Sequence, residues 1–141
     1  MKNIFALLAI ILFHSVIKGQ VPQLVKDINT FSTSSSSPTQ TVTVGNLVFF
    51  TATDPLLGIE LWKTDGTEAG TALVKDILVG SGSSLPANLA NVNGTLFFSA
   101  TNGTQGVELW KSDGTEAGTT QVLDINAGAT GSISGAAFLL M

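Results

Sequence analysis

The stretch Glu60–Thr71 reads ELWKTDGTEAGT, and it returns 48 residues later at Glu108–Thr119 as ELWKSDGTEAGT, with a single difference. The similarity extends outward without a gap, because 20 of 34 positions are identical between Val44–Ile77 and Val92–Ile125. A period of roughly 20–50 residues is typical of solenoids, propellers and other arrays. The sequence therefore predicts a tandem repeat rather than one small domain.

Parts of further copies flank these two repeats. The sequence LVKDI occurs at Leu24–Ile28 and again at Leu73–Ile77, where it ends the first full repeat. Ala136–Leu140 falls where the first strand of the next copy is expected. We therefore expect this chain to be the N-terminal fragment of a longer protein, with assembly of several copies as the alternative.

Each repeat contains the signals of four short strands. Gly45-Asn46 and Asn93-Gly94 separate apolar runs, and such pairs favour hairpins with type I′ turns. A second strand rich in Phe, Val and Thr follows each turn. The third strands are predicted at Ile59–Thr64 and Val107–Ser112, and the fourth at Thr71–Ile77 and Thr119–Ile125. No segment of the repeat has the period of an amphipathic helix. The pattern predicts four-stranded antiparallel meanders.

The second strand of each repeat is apolar on both faces. Leu47–Phe50 and Leu96–Phe98 do not alternate with polar residues, as the strands of a sheet with one wet face would. Sheets covered on both sides are typical of propeller blades, and closed propellers have about four to eight of them. We therefore predict an all-β fold of propeller-like blades in an incomplete ring, with another β array or a sandwich as the alternative.

The repeat divides the chain into segments. These are a signal peptide at 1–19, an orphan outer strand at 20–30, a mobile Ser-rich linker at 31–39, the first blade at 40–77, a linker at 78–87, the second blade at 88–125, and a linker with the truncated start of a third repeat at 126–141.

The first residues indicate export. Lys2 precedes an apolar run of ten residues from Ile4 to Phe13, and Ser15 and Gly19 are the small residues of a cleavage region. This run is too short for a stable membrane span, although an N-terminal anchor is the alternative interpretation. We expect a secreted, extracellular or cell-surface protein, with the periplasm as another destination, and no membrane span in the mature chain.

The composition excludes several kinds of chemistry. The chain has no Cys, Arg or Tyr, and its one His, His14, lies in the expected leader. Four Lys and ten acidic residues follow that leader, so the mature net charge is −6. Nucleic acid is not an expected partner, because phosphates require clustered cations. The usual general base and thiol nucleophile are absent, and we predict no catalytic residues and no enzyme activity.

The repeated block resembles the ELWxxDGT repeat of exported and surface-exposed bacterial proteins, some of which are labelled hyalin-like. The residues that carry the resemblance are Glu60, Leu61, Trp62, Asp65, Gly66 and Thr67, and again Glu108, Leu109, Trp110, Asp113, Gly114 and Thr115. The resemblance implies propeller-like repeats, further blades of the same protein, in some cases a C-terminal sorting domain, and no characterised enzymatic activity.

Three features of the block suggest structural roles. Trp62 and Trp110 are expected to anchor blade to blade, with a sugar-stacking platform as the alternative. Glu60 and Glu108 occupy equivalent positions, which argues against a glycosidase pair with two different roles. Each has a Lys three residues later, and a surface ion pair is the simplest prediction for Lys63 and Lys111.

The DGTEAG loops are expected to be turns in which Asp accepts backbone hydrogen bonds and Gly supplies a positive φ. The alternative is calcium, since Asp65, Glu68, Asp113 and Glu116 offer the oxygen ligands that this ion prefers. Asp27, Asp76 and Asp124 recur before an Ile, and we expect them to bond the backbone of the connection to the next blade. No other cofactor is predicted.

These observations favour a non-catalytic scaffold that binds a protein or a glycan outside the cell. The alternatives are the N-terminal part of a larger propeller enzyme acting on polysaccharide, and a calcium-stabilised structural array.

Overall fold

The computed structural model describes residues 23–30, 34–124, 127–128 and 130–132. Within these residues the fold is all-β, without a helix, and consists of two four-stranded antiparallel sheets. Each sheet is an open meander in which the strands neighbour one another in chain order. The predicted fold class is confirmed.

One sheet is built from each repeat. The strands are β1 (Thr39–Val44), β2 (Leu47–Asp54), β3 (Gly58–Thr64) and β4 (Ala72–Lys75) in the first sheet, and β5 (Ala87–Val92), β6 (Thr95–Thr101), β7 (Val107–Ser112) and β8 (Thr120–Leu123) in the second. The fourth strands are shorter than the sequence predicts, since Asp76 and Ile77 have already left the ladder.

The two hairpin turns differ because the order of Gly and Asn is reversed between them. Asn93 and Gly94 both have positive φ, at 51° and 84°, so the predicted type I′ geometry is confirmed there. At the equivalent turn of the first sheet Gly45 has a positive φ, at 60°, whereas Asn46 does not. A positive φ at the first central residue alone is the pattern of a type II′ turn. The prediction of type I′ was wrong at this turn, because only Gly adopts positive φ without a steric cost.

The main core lies between the two sheets. Phe49, Leu61 and Val74 of the first sheet, together with Ile77, pack against one face of the second sheet. That face is formed by four side chains, Leu96, Phe98, Ala100 and Trp110. The equivalent face of the first sheet, with Phe50, Ala52 and Trp62, packs against Ile28 and Leu73. Each Trp therefore faces the preceding repeat, which confirms its role as a packing anchor.

Polar contacts bridge the same interface. Lys63 Nζ of the first sheet donates to the Gly114 carbonyl at 2.7 Å, and Lys75 Nζ donates to the Thr119 carbonyl at 3.0 Å. In the opposite direction, Asn91 Nδ2 donates to the Thr43 carbonyl at 2.9 Å. The ion pair predicted for Lys63 was wrong, because its ammonium group reaches across to a backbone carbonyl of the next repeat.

The orphan segment occupies the position of a preceding fourth strand without being one. No strand is assigned at residues 24–28, since a ladder needs a hydrogen-bonded neighbour and neither sheet supplies one there. Lys26 Nζ nevertheless donates to the Thr71 carbonyl at 2.8 Å, as Lys75 does to Thr119 one repeat later. The segment therefore repeats the contact of a fourth strand through its side chains.

The described part of the Ser-rich linker is attached to the first sheet. Thr53 N–H donates to the Ser36 carbonyl at 2.8 Å, and Thr101 N–H donates to the Ser84 carbonyl at 3.0 Å one period later. Asn29 Nδ2 also donates to the Ser34 carbonyl at 2.8 Å. The described part of this linker therefore has hydrogen-bonded positions on the first sheet, and its mobility stays a prediction.

Some predictions fall outside the described residues. The signal peptide at 1–19 lies there completely, and so do Ala136–Leu140, the expected first strand of a third repeat. Among the residues that the structure does describe, no helix is long and apolar enough to cross a membrane.

Replacement of Phe49 by Ala should cost about 3–5 kcal/mol of unfolding free energy, because its buried ring lies between the sheets. Phe97 is the matched control, since it holds the same place in the second sheet but is only partly buried. Urea unfolding of F49A and F97A measures the two costs. Equal costs would contradict a core that lies between the sheets.

Candidate functional site

Each repeat holds one fully buried glutamate at the centre of a hydrogen-bond clamp. Glu60 has an exposed fraction of 0% and lies in β3. Its Oε1 accepts from the Ser84 N–H at 2.8 Å, and its Oε2 accepts from the Ser84 hydroxyl at 2.5 Å and from the Ile77 N–H at 3.2 Å. The carboxylate thus fixes the linker that leads from the first sheet to the second.

The second repeat builds the same clamp. Glu108 in β7 is buried, and its carboxylate accepts from the N–H of Ser132 at 2.7 Å and from the Ser132 hydroxyl. Both serines stand 24 residues after their glutamate. The recurrence indicates that the glutamate of the motif is a structural element of every repeat.

Burial changes the electrostatics of the first clamp. Loss of hydration raises the pKa of Glu60 above its ordinary value, and the nearby Asp76 carboxylate acts in the same direction. The hydrogen bonds from Ser84 and Ile77 oppose this shift, because they favour the charged form. Desolvation is the largest of these effects, so the folded protein binds a proton at Glu60 more readily than the unfolded chain does.

The DGTEAG loop forms a closed network of hydrogen bonds. Asp65 Oδ1 accepts from the N–H of Thr67 at 2.9 Å and from its hydroxyl at 2.7 Å. Thr67 Oγ1 accepts from the Gly70 N–H at 2.9 Å, and the Thr71 hydroxyl donates to the Thr67 carbonyl at 2.7 Å. Because Thr71 donates its hydroxyl proton to this carbonyl, Thr64 is the donor in the 2.7 Å contact between Thr64 Oγ1 and Thr71 Oγ1.

The same network recurs in the second loop with almost the same distances. Asp113 Oδ1 accepts from the Thr115 N–H at 2.8 Å and from its hydroxyl at 2.7 Å, and Ser112 takes the place of Thr64. A hydroxyl is the only group that this position needs, which explains why Thr and Ser alternate there. The predicted Asx-type turn is confirmed in both loops.

Two further properties of the loop follow from the aspartate. The hydroxyl and the N–H of Thr67 hold the pKa of Asp65 below its ordinary value, and Thr115 does the same for Asp113. Gly70 and Gly118 lie so close to these carboxylates that an added β-carbon would come within 2.0 and 2.1 Å of Oδ1. The second glycine of the loop is therefore required by the aspartate side chain.

The predicted calcium ligands are only partly brought together. Glu68 and Glu116 are exposed, and their backbone carbonyls accept from the N–H groups of Thr71 and Thr119. In the part of the chain that the structure describes, no group of three His, Cys, Asp or Glu side chains converges as metal ligands. Calcium binding remains the untested alternative.

The tryptophans are not placed for sugar stacking. Trp62 and Trp110 have exposed fractions of 6% and 7%, so neither ring presents an open face. Trp110 Nε1 donates to the Ala100 carbonyl at 3.1 Å, whereas Trp62 Nε1 is buried without an acceptor among the described residues. The surface-platform alternative was therefore wrong for both residues.

The recurring aspartates are placed only partly as the sequence predicts. Asp76 Oδ2 accepts from the Gly80 N–H at 3.1 Å, which confirms the predicted backbone bond, whereas Asp124 Oδ2 accepts from Gln105 Nε2 at 2.9 Å. Asp27 is exposed.

Sequence reasoning missed the serines that bind the linkers to the sheets. Ser36, Ser84 and Ser132 recur at intervals of 48, and that spacing is the signal that could have found them.

Comparison with known proteins gives no further identification. No family model, no curated protein and no solved structure matches this chain.

Glu60→Gln should lower the unfolding free energy by about 1–3 kcal/mol, because a buried donor loses its carboxylate acceptor. The loss should also depend on pH. The raised pKa of Glu60 gives the wild type a stabilising contribution that is fully present below pH 4.5, the ordinary pKa, and is lost as pH rises through the raised value. The difference between wild type and E60Q should therefore shrink with increasing pH.

Urea unfolding at several pH values measures this difference. Glu68→Gln is the matched control, since Glu68 is exposed and its replacement should change stability by less than about 0.5 kcal/mol. A difference between wild type and E60Q that grows with pH would contradict the argument.

Proposed function

We propose that this chain is a non-catalytic, exported repeat protein of the ELWxxDGT type that acts as an interaction scaffold at the cell surface or outside the cell. The observation that supports this proposal most is the use of the motif's polar groups. The carboxylates of Glu60 and Glu108 each hold a serine, and those of Asp65 and Asp113 each hold a threonine.

The equivalence of the two glutamates argues against hydrolysis of a polysaccharide by this pair. A glycosidase requires one carboxyl group as acid and another as base or nucleophile, in unlike environments and beside the substrate. Glu60 and Glu108 are both buried, and both accept from the N–H and hydroxyl of a serine 24 residues later. These features favour a structural role over catalysis.

Exposed apolar side chains offer a surface for a partner. Leu56 lies on the β2–β3 turn, and Val79 and Leu85 lie on the linker between the sheets. The linker contacts the start of β3, directly after this turn, since Ile59 N–H donates to Ser83 Oγ at 2.9 Å and Leu85 N–H donates to the Ile59 carbonyl. Val79 has an exposed fraction of 86%, which is unusual for a large apolar side chain next to a core.

The charge and the first residues agree with this proposal. An acidic mature chain without Arg has little affinity for nucleic acid, and the apolar run after Lys2 is typical of a secretory leader. Protein and glycan partners are both compatible with an exposed apolar edge flanked by Ser and Gly.

The purified chain should bind a polysaccharide or protein ligand without releasing reducing ends. A panel of neutral and acidic bacterial polysaccharides tests this by biolayer interferometry together with a reducing-end assay. Val79→Asp should weaken any binding through the linker edge, whereas Ser81→Asp, an exposed neighbour that gains the same charge, should not. Release of reducing ends that E60Q abolishes would instead support an enzyme.

Calcium should leave the melting temperature unchanged, because Asp65 and Asp113 already satisfy their loops through Thr67 and Thr115. Circular dichroism melts in EDTA and in millimolar calcium measure the difference. A rise in calcium that D65N and D113N together abolish would support the calcium-stabilised array instead.

A further inference from the structure

The contact between the two sheets defines a pair of complementary faces. The forward face of the first sheet carries Phe49, Leu61 and Val74, and the rear face of the second sheet carries Leu96, Phe98, Ala100 and Trp110. Because the repeat copies both sheets, the second sheet also has a forward face, with Phe97, Leu109 and Val122. The first sheet likewise has a rear face, with Val48, Phe50, Ala52 and Trp62.

Phe49 is the side chain that fills the rear face of the second sheet. A β-carbon at Gly114 would lie 3.3 Å from Cζ of Phe49 and 3.2 Å from Cδ1 of Leu47. The equivalent Gly66 of the first sheet has no such neighbour, since a β-carbon there would meet no atom within 4 Å. The place that Phe49 takes in one repeat is therefore open in the other.

This open place is a cavity of about 520 Å³ on the rear face of the first sheet. Its lining includes Val48, Phe50, Thr64, Gly66 and Thr71, together with residues of the segments 24–28 and 35–38. The residues 48 positions later, which are Leu96, Phe98, Ser112, Gly114 and Thr119, are all buried beneath the first sheet. The interface inside the chain thus shows what covers a surface of this composition, namely the forward face of another repeat.

The forward face of the second sheet is correspondingly uncovered. Phe97 and Leu109 are partly exposed, although Phe49 and Leu61 at the same positions are buried. Val122 has an exposed fraction of 43%, against 4% for Val74. The first repeat shows how such a face is covered, and the second repeat presents the same face to solvent.

A second cavity indicates where the DGTEAG loop of the receiving copy, which contains Gly66, would lie. It has a volume of about 410 Å³ and is lined in part by Thr95 and Lys111. These residues are the equivalents of Leu47, which packs on Gly114, and of Lys63, which donates to the Gly114 carbonyl. Lys111 is exposed and has the same reach towards the Gly66 carbonyl of a docked repeat. Thr95 makes this part of the face less apolar than its counterpart.

We propose that a second copy of this chain docks head to tail, with Phe97 of one copy in the rear-face cavity of the next. Lys111 then donates to the Gly66 carbonyl, as Lys63 does to Gly114 within one chain. The proposal does not depend on the proposed scaffold function, because it rests on the interface that joins the two sheets.

Docking requires the receiving chain to move residues 24–28. These residues hold the place of a fourth strand on the rear face, and the incoming β8 needs the same place. Val25 and Asp27 correspond to Val122 and Asp124 of the incoming chain. Docking gives up the contact of Ile28, which is buried against Phe50, Ala52 and Trp62, whereas Leu24 and Val25 are 81% and 44% exposed and bury little surface.

The proposed interface is heterologous, since two different faces meet. Such an interface leaves one free face at each end, so assembly proceeds to a closed ring or to an open chain. An isologous dimer would instead use one face twice and would stop at two copies.

Sedimentation velocity over a wide range of protein concentration tests the proposal. Phe97→Asp removes the inserted ring, and Thr41→Trp covers the cavity from an exposed position on its rim. Each variant should weaken self-association at least about 30-fold, the effect of losing one central anchor. Asn93→Asp and Asn46→Trp, on exposed hairpin turns, are the matched controls and should associate like the wild type.

An equimolar mixture of F97D and T41W distinguishes the two kinds of interface. F97D retains the cavity and T41W retains Phe97, so the mixture should form heterodimers that stop at two copies. Circular dichroism spectra confirm that each variant is folded. A wild type that stays monomeric, variants that associate like the wild type, or a mixture that forms no heterodimer would each overturn the proposal.

Discussion

The structure depends on the burial of one carboxylate in each repeat. A charged side chain loses its hydration inside a protein, and it is stable there only when its oxygens accept enough hydrogen bonds. Glu60 meets this requirement through Ser84 and Ile77, and Glu108 meets it through Ser132. Because the donors belong to the linker after the sheet, satisfying the carboxylate also sets where the next repeat begins.

Lysine side chains also form hydrogen bonds from one repeat to the next. Lys26 and Lys75 donate to the carbonyls of Thr71 and Thr119, and Lys63 donates to that of Gly114. These contacts orient one sheet on another, while Phe49 and Trp110 supply the apolar area between them. Each repeat thus contacts mainly its neighbours, as in other arrays, and the outer faces of the two sheets retain the character of an interface.

The DGTEAG loops add rigidity without using the rest of the protein. Asp65, Thr67 and Thr71 satisfy one another within the first loop, and the second loop repeats the arrangement. This closed network explains the strict recurrence of the motif through folding alone. It agrees with a scaffold in which binding takes place on the linkers and turns, which differ between the repeats.

The sequence by itself determined the period of 48 residues, the four strands of each repeat, the turn at Asn93-Gly94 and the inward place of the tryptophans. These features are local, because strand patterns and turn residues act over a few neighbouring positions. Only the tertiary structure decided that Glu60 is buried, that Lys63 bonds to Gly114 and that Ser36 anchors the first linker. In the sequence, a Glu followed three residues later by a Lys resembles a solvent-exposed ion pair. In the structure the hydrogen-bond partners of Glu60 and Lys63 lie 24 and 51 residues away. No local pattern encodes such contacts, since they arise when one sheet is laid upon another.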